Sequence, residues 1–127
     1  MKKVLLDTSV IIDFLRRKDK EKSLFAHLLQ EGNQTAVSII THCELYAGKS
    51  VWEEKDAKEE LEILFSGMQI LDLNAQISQV AGQIRAKSDL NLLDAIIAAT
   101  AKIYNLELAT LNLKDFKKVE ELHLFKL

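Results

Sequence analysis

Short apolar segments alternate with longer amphipathic segments along the chain, and this alternation constrains the fold more than any other feature of the sequence. The apolar segments predict five β-strands, at Val4–Leu6, Thr35–Val37, Met68–Leu71, Leu106–Thr110 and Leu122–Phe125. The segments between them have helical spacing of apolar residues, most clearly in Leu92–Tyr104. Short apolar strands joined by helices form a parallel sheet covered on both faces, so the sequence predicts an α/β fold.

Polar residues indicate where several of the helices begin. Ser38 and Asn74 have side chains that can cap a helix N-terminus, and their helices are predicted to run to about Gly48 and about Lys87. A charged helix is predicted between these two, over Glu53–Phe65. Between the first two strands, helical spacing predicts a helix through Val10, Ile11, Phe14 and Leu15, and a second one through Leu24, Phe25, Leu28 and Leu29 that ends at Gly32-Asn33.

The sequence offers no obvious boundary between two domains. It has no proline and four glycines among its 127 residues, and therefore no Pro- or Gly-rich linker. A chain of this length can bury a core without disulfides, and the single Cys43 can close no bridge within the chain. We therefore expect a single domain over residues 1–127 in a reducing, cytoplasmic compartment, with no membrane-spanning segment.

The charges nearly balance, with 17 Lys and Arg against 19 Asp and Glu and a net charge of −2 at pH 7. A globally basic surface is thereby excluded, so contact with a nucleic acid must depend on a local patch or on metal ions. Two basic segments are available, one over Arg16–Lys22 and one over Lys114–Lys118. A solvated face is the default interpretation of either segment, but the second directly follows the fourth predicted strand.

Acidic residues collect near the predicted carboxyl edge of the sheet, where parallel α/β folds place their functional groups. Asp7 directly follows the first strand, and Glu44 lies in the helix after the second. Asp94 lies in the apolar helix before the fourth strand, and Asp115 lies shortly after that strand. These four acids are the candidate functional residues.

Helix capping is the alternative explanation for three of the four acids. Asp7 can cap the first helix, and Asp94 and Asp115 each follow an asparagine by three residues, as in a capping box. Asp115 also lies between Lys114 and Lys117, where simple charge neutralisation would account for it. Asp115 is accordingly the weakest candidate.

Glu44 has no capping explanation, because it lies in the middle of its helix on the same face as Ile40 and Ala47. If it converges with Asp7 and Asp94, two carboxylates about 4 Å apart repel each other by roughly 4 kcal/mol at an effective dielectric near 20. Such a cluster requires protonation or a bound cation. Oxygen ligands without cysteine or clustered histidine favour Mg²⁺ or Mn²⁺ over zinc.

Four segments together resemble the PIN-domain ribonucleases, and most closely the VapC-type toxins. They are Leu5–Asp13, Ser38–Leu45, Leu93–Ala101 and Ala109–Phe116, in the family's order and approximate spacing. The resemblance covers nearly the whole chain. It implies a three-layer α/β/α domain with a parallel five-stranded sheet, and a Mg²⁺- or Mn²⁺-dependent endoribonuclease that hydrolyses RNA phosphodiester bonds.

The resemblance also implies roles for individual residues. The family's three acids correspond to Asp7, Glu44 and Asp94 and its more variable fourth to Asp115, as catalytic residues and metal ligands. Supporting hydrogen bonds are expected from Thr8, Ser9, Thr110 and Asn112. One departure is Leu111, which stands where the family usually has an arginine between the threonine and the asparagine. A second is the short segment from Lys87 to Leu93, which lacks the glycine and proline common before the third acid.

The partners implied by the resemblance are an RNA substrate, an antitoxin protein and a second copy of the chain. Apolar side chains exceed what one sheet face needs, namely Leu24, Phe25, Leu28, Leu29, Tyr46 and Trp52. Core packing explains them in the simplest case. A dimer face or a groove for an antitoxin helix is the alternative that the family suggests.

Two other functions remain open from the sequence. The first is a phosphoaspartyl domain: a haloacid-dehalogenase-type phosphatase would need an aspartate where Ser9 stands, and a receiver domain would use Asp72 as its acceptor. The second is a non-catalytic PIN-like module that binds RNA or protein. That module would be expected to lack at least one central acid, and none is lost here.

Overall fold

The computed structural model describes residues 2–126, so Met1 and Leu127 at the ends of the predicted domain lie outside the described residues. Its sheet has four parallel strands in the order β3-β2-β1-β4. They are β1 (Lys3–Leu6), β2 (Gln34–Ser38), β3 (Gln69–Leu71) and β4 (Glu107–Ala109). Because the strands are parallel, the loops after β1, β2 and β4 leave the same edge of the sheet. The strand order reverses between β1 and β4, which is where sheets of this kind place their functional groups.

Eight helices connect and cover these strands in the described part of the chain. They are α1 (Thr8–Arg16), α2 (Leu24–Gln30), α3 (Ile39–Tyr46), α4 (Lys49–Glu53), α5 (Lys55–Ser66), α6 (Ala75–Ser88), α7 (Leu92–Ile103) and α8 (Leu113–Phe116). None of them is long and apolar enough to cross a membrane. The predicted α/β architecture with a parallel sheet covered by helices is confirmed.

The β1 strand lies at the centre of the core, because its side chains alternate between two hydrophobic clusters. Leu5 packs into a cluster with α6 and α7, whereas Val4 and Leu6 pack into a second cluster with residues of α1, α2 and α5. All three of these side chains are fully buried. This packing on both faces fixes the end of β1, where Asp7 follows.

The prediction of a fifth strand over Leu122–Phe125 is wrong. Only Leu124 pairs, in an isolated parallel bridge with Leu108, and the backbone bonds are Leu108 N–H to the His123 carbonyl and Phe125 N–H to the Leu108 carbonyl. A left-handed turn at Glu121, with φ of 59°, precedes this segment. The segment contacts the sheet through Leu124, but a single bridged residue does not form a strand.

Side-chain caps define several helix starts as predicted. Ser38 accepts a hydrogen bond from the Ile40 amide, and Asn74 accepts one from the Ile77 amide. The helix starting after Ser38 ends at Tyr46 rather than Gly48. The charged segment predicted as one helix over Glu53–Phe65 contains a break at Glu54, whose extended backbone separates α4 from α5.

Candidate functional site

The Asp7 carboxylate is held by hydroxyl groups from both ends of the chain. It is only 3% exposed, and its Oδ2 accepts hydrogen bonds from Ser9 Oγ at 2.7 Å and from Thr110 Oγ1 at 2.8 Å. Asp7 occupies the position before α1, but its side chain makes no capping bond to that helix. The capping explanation for Asp7 is therefore wrong, because the carboxylate is turned towards β4 rather than towards the helix.

The turn after β4 is hydrogen-bonded to the same group of residues. The Leu111 amide donates to Ser9 Oγ at 3.1 Å, and the Asn112 amide donates to Thr110 Oγ1 at 2.9 Å. Each hydroxyl therefore donates to Asp7 and accepts from the backbone of this turn. The network fixes Asp7 between β1 and β4, and it brings Asp7, Ser9, Thr110 and Asn112 together as the sequence predicted.

Glu44 reaches the site from α3 through Thr8. The Thr8 hydroxyl lies 2.8 Å from Glu44 Oε1 and 3.0 Å from the hydroxyl of the buried Thr41. Because Thr8 has one hydroxyl proton, donating it to the carboxylate leaves Thr8 to accept from Thr41. Thr41 lies three residues before Glu44 on the same face of α3, and this helical spacing is the signal by which the sequence could have identified it.

Asp94 lies in the first turn of α7, next to its capping residue. The Asn91 side chain accepts from the Asp94 amide at 2.9 Å and donates to Asp94 Oδ2 at 3.0 Å. Asn91 therefore caps α7 as predicted, but the return bond to Asp94 comes from the Asn91 side-chain amide rather than from its backbone N–H. Asn91 binds only one of the two carboxylate oxygens of Asp94, which leaves the other oxygen available for a different contact.

The pKa of Asp94 is shifted by burial and by the charges of its neighbours. Burial, followed by the negative charges of Asp7 and Glu44 and a smaller contribution from Asp115, raises the pKa of Asp94 from 3.8 to about 6, against a lowering by the Asn91 hydrogen bond. Asp7, Glu44 and Asp115 are thus near enough to Asp94 to influence its pKa. The structure therefore brings Asp94 near the other three predicted acids.

Asp115 is half-buried in α8, and both simpler explanations for it are wrong. Asn112 precedes α8 but makes no side-chain capping bond, so the predicted capping box does not form. No ion pair among residues 2–126 includes Asp115, although Lys114 and Lys117 are close in sequence.

The three central carboxylates share one arrangement: one oxygen is bound to a side chain of the protein and the other is not. The bound atoms are Oδ2 of Asp7, Oε1 of Glu44 and Oδ2 of Asp94. Over residues 2–126, every fully enclosed side-chain nitrogen or oxygen has a hydrogen-bond partner. The second oxygen of Asp7, which accepts no such bond, therefore reaches the surface.

These oxygens suit a divalent cation by their chemistry. No Lys, Arg or His in the described residues forms an ion pair with Asp7, Glu44, Asp94 or Asp115. Nor are any three acidic, His or Cys side chains of residues 2–126 close enough to hold a metal together. Mg²⁺ needs no such cluster, because it keeps several waters and binds through one or two carboxylates together with substrate phosphates.

The apolar residues singled out in the sequence divide between core and surface. Phe25 and Leu28 are buried, and Leu24 and Tyr46 are packed against the same cluster. Trp52 is 64% exposed, and its indole N–H donates to the Tyr46 carbonyl at 2.7 Å. Core packing therefore explains most of this set, but not Trp52 or the half-exposed Leu29.

The fold and the acidic site correspond to those of a known family. Residues 4–122 match the sequence profile of the PIN domain. Ribonuclease VapC19 from Mycobacterium tuberculosis is 31% identical over 123 residues, which are 93% of this chain and 95% of that protein. The chain therefore belongs to the PIN-domain family, in the group of the VapC ribonucleases.

Other comparisons agree with this assignment. Ribonuclease VapC2 from Rickettsia felis is 29% identical, over 93% of this chain and 92% of that protein. A solved toxin-antitoxin complex from Klebsiella pneumoniae contains a chain that is 32% identical, with a TM-score of 0.73 and 89% of each chain covered. PIN-domain VapC nucleases generally depend on divalent metal ions. Membership of this family rules out the phosphoaspartyl alternatives.

Proposed function

We propose that this chain is an endoribonuclease that hydrolyses RNA phosphodiester bonds with the help of Mg²⁺ or Mn²⁺, and that it acts in the cytoplasm. The observation that carries the proposal is the shared arrangement of Asp7, Glu44 and Asp94. Each presents one anchored and one free carboxylate oxygen at the carboxyl edge of the sheet. Names of the relatives support the ribonuclease activity.

Asp7 and Asp94 are the proposed direct metal ligands. Ser9 and Thr110 hold Asp7 through Oδ2, and Asn91 holds Asp94 through Oδ2, so each carboxylate keeps a fixed orientation. When bound, a divalent ion supplies a water of lowered pKa and positive charge that stabilises the developing charge on phosphate. The raised pKa of Asp94 fits this role, because a bound cation would offset both the loss of hydration on burial and the repulsion by Asp7.

Glu44 is proposed as a ligand or as the base that orients the attacking water. Thr8 holds Oε1 of Glu44, which leaves Oε2 without a hydrogen bond from any other side chain of the described residues. Asp115 is proposed as a second-site or outer-sphere ligand, because it influences Asp94 less than Asp7 and Glu44 do. Asn112 supports the site through the hydrogen bond that its backbone N–H donates to Thr110 Oγ1.

The test is RNA cleavage with Mg²⁺ or Mn²⁺, with and without a chelator, by the wild type and by the variants Asp7→Asn and Asp94→Asn. We expect cleavage that the chelator abolishes and that each variant reduces by at least about 100-fold, the scale on which acid–base and electrostatic groups contribute. Ser78→Ala, on the exposed surface of α6, is the control variant. Full activity in both aspartate variants would contradict the mechanism. RNA binding without cleavage by the wild type would favour the non-catalytic module.

We further propose that the chain is the toxin of a toxin–antitoxin pair and forms a homodimer. A groove of about 500 Å³ supports the antitoxin part of the proposal. It is lined by apolar residues of α1, α3, α4 and α5, namely Ile12, Leu15, Leu45, Val51 and Leu61, and Glu44 of the acidic site also lines it. An apolar helix face with one basic residue would fill the groove and neutralise Glu44. Co-expression with the adjacent open reading frame, followed by copurification, tests this pairing.

A further inference from the structure

A second groove, of about 270 Å³, lies between helices α6 and α7 and the segment that follows α8. Three lysines from these three parts of the chain line it: Lys87 from α6, Lys102 from α7 and Lys118 from the segment after α8. No ion pair formed within residues 2–126 includes any of the three. Three ammonium groups therefore share one concave surface without an acidic partner at salt-bridge distance.

Two of the three groove lysines are close along the chain to acids of the site. The Lys118 amide donates to the Asp115 carbonyl at 3.2 Å, so one turn of chain joins this lysine to the fourth acid. Lys87 lies in the last turn of α6, just before the loop that leads to Asn91 and Asp94. Each of these two lysines is therefore joined to an acid of the site by a short stretch of chain.

The third lysine of the groove, in the last turn of α7, lies at the opposite end of this helix from the acidic site. Lys102 lies eight residues after Asp94 on this helix, which corresponds to about 12 Å at 1.5 Å per residue. That distance exceeds the reach of one nucleotide. The lysines are therefore placed to contact a strand that extends beyond the bond being cut, rather than the scissile phosphate itself.

We propose that this groove binds the phosphate backbone of the RNA strand that flanks the cleavage site. The inference rests on the proposed ribonuclease function. A protein with a net charge of −2 and an acidic catalytic edge repels RNA overall, so binding requires local cations. Glu120 and Glu121 also line the groove and reduce its positive charge. Their presence predicts that removing a glutamate and removing a lysine have opposite effects on RNA binding.

The test measures binding of a fluorescent single-stranded RNA of mixed sequence, about 20 nucleotides long, as a function of salt. The protein carries Asp94→Asn, and a chelator is present, so that no cleavage occurs. Each phosphate contact contributes about 0.7 to the slope of log K against log salt for single strands. We expect the pair Lys87→Gln and Lys118→Gln to lower this slope by about 1.4, and Lys102→Gln alone to lower it by about 0.7. Glu120→Gln should tighten binding.

The matched control is the pair Lys49→Gln and Lys126→Gln, which removes the same charge from exposed lysines outside the groove and outside both basic segments. Equal slopes for the groove pair and the control pair would overturn the proposal. Weaker binding by Glu120→Gln would do so as well. The proposed function is tested separately, by RNA cleavage with the protein that retains Asp94. Cleavage with equal slopes refutes the groove alone, whereas a slope difference without cleavage refutes the nuclease alone.

Discussion

The hydroxyl group of Thr110 donates a 2.8 Å hydrogen bond to Oδ2 of Asp7, joining two residues that are 103 positions apart in the chain. The same hydroxyl accepts from the Asn112 amide. Thr110 is 4% exposed, so water cannot readily replace either bond. This one side chain ties the orientation of a candidate metal ligand to the end of β4.

The variant Thr110→Val tests this relationship, because valine keeps the shape of threonine and removes both bonds. We expect the free energy of unfolding to fall by about 1–3 kcal/mol, the usual cost of leaving buried polar groups unpaired. RNA cleavage should fall as well, because Asp7 loses one of its two anchors. Urea denaturation and cleavage rates check the two effects. Thr110→Ser, which keeps the hydroxyl, should remain close to wild type, and wild-type cleavage by Thr110→Val would contradict the anchoring role.

The raised pKa of Asp94 predicts that stability depends on pH. Burial and the charge of Asp7 raise the pKa from 3.8 to about 6, so between these values the native state binds more protons than the unfolded state. The free energy of unfolding should therefore fall as pH rises from about 4 to about 6, and remain lowered above that range. Because Asp94 is partly exposed, we expect a change of about 1 kcal/mol rather than the full value of the shift.

Urea unfolding in chelator across this pH range measures the effect. In Asp94→Asn the corresponding loss of stability should be absent, so that this variant is more stable than the wild type at neutral pH. Adding Mg²⁺ should stabilise the wild type more than the variant, because binding to the native state favours folding. An identical pH dependence in both proteins would show that Asp94 does not carry the effect.

The contact between Thr8 and Glu44 makes a separate prediction. Thr8→Val removes the hydroxyl that lies 2.8 Å from Glu44 Oε1 and leaves the buried Thr41 without its acceptor. We expect cleavage to fall by about tenfold, since a misplaced catalytic group commonly costs that much or more. The KM for RNA should change little, because Thr8 holds Glu44 rather than the substrate. Thr8→Ser is the control, and a change confined to KM would argue for direct substrate contact.

Leu111 offers a gain-of-function test. Its amide donates to Ser9 Oγ, which in turn donates to Asp7, and its side chain is 51% exposed. An arginine at this position would hold a positive charge beside the acidic edge. We expect Leu111→Arg to tighten RNA binding and to increase the salt slope by about 0.7. Leu111→Gln is the uncharged control, and equal binding by the two variants would show that RNA does not pass this position.

Local sequence patterns were sufficient to predict most of the strands and helices. The first four strands and the helices between them follow from apolar periodicity and from caps such as Ser38 and Asn74. The fifth strand does not, because a short apolar segment has the same pattern whether one residue pairs or four. The pairing of Leu124 with Leu108 depends on the turn at Glu121, and the sequence contains no clear signal for that turn.

The candidate site was predictable as a set of residues but not as a set of contacts. Asp7, Glu44 and Asp94 could be selected because nothing local explained all three. The direction of the Asp7 side chain could not be predicted, because its partner Thr110 comes from the far end of the chain. The spacing of Thr41 from Glu44 could have selected Thr41 as a candidate, but its contact could not be predicted, because the Thr8 hydroxyl 3.0 Å away comes from another helix.

The burial of β1 on both faces has a consequence for how such an enzyme can be switched off. Leu5 and Leu6 lie in opposite halves of the core, and Asp7 is the next residue. Moving the backbone that carries this carboxylate would therefore disturb both halves of the core. We expect an inhibitor of this chain to cover the acidic edge while the fold stays assembled, so that its removal restores activity without refolding.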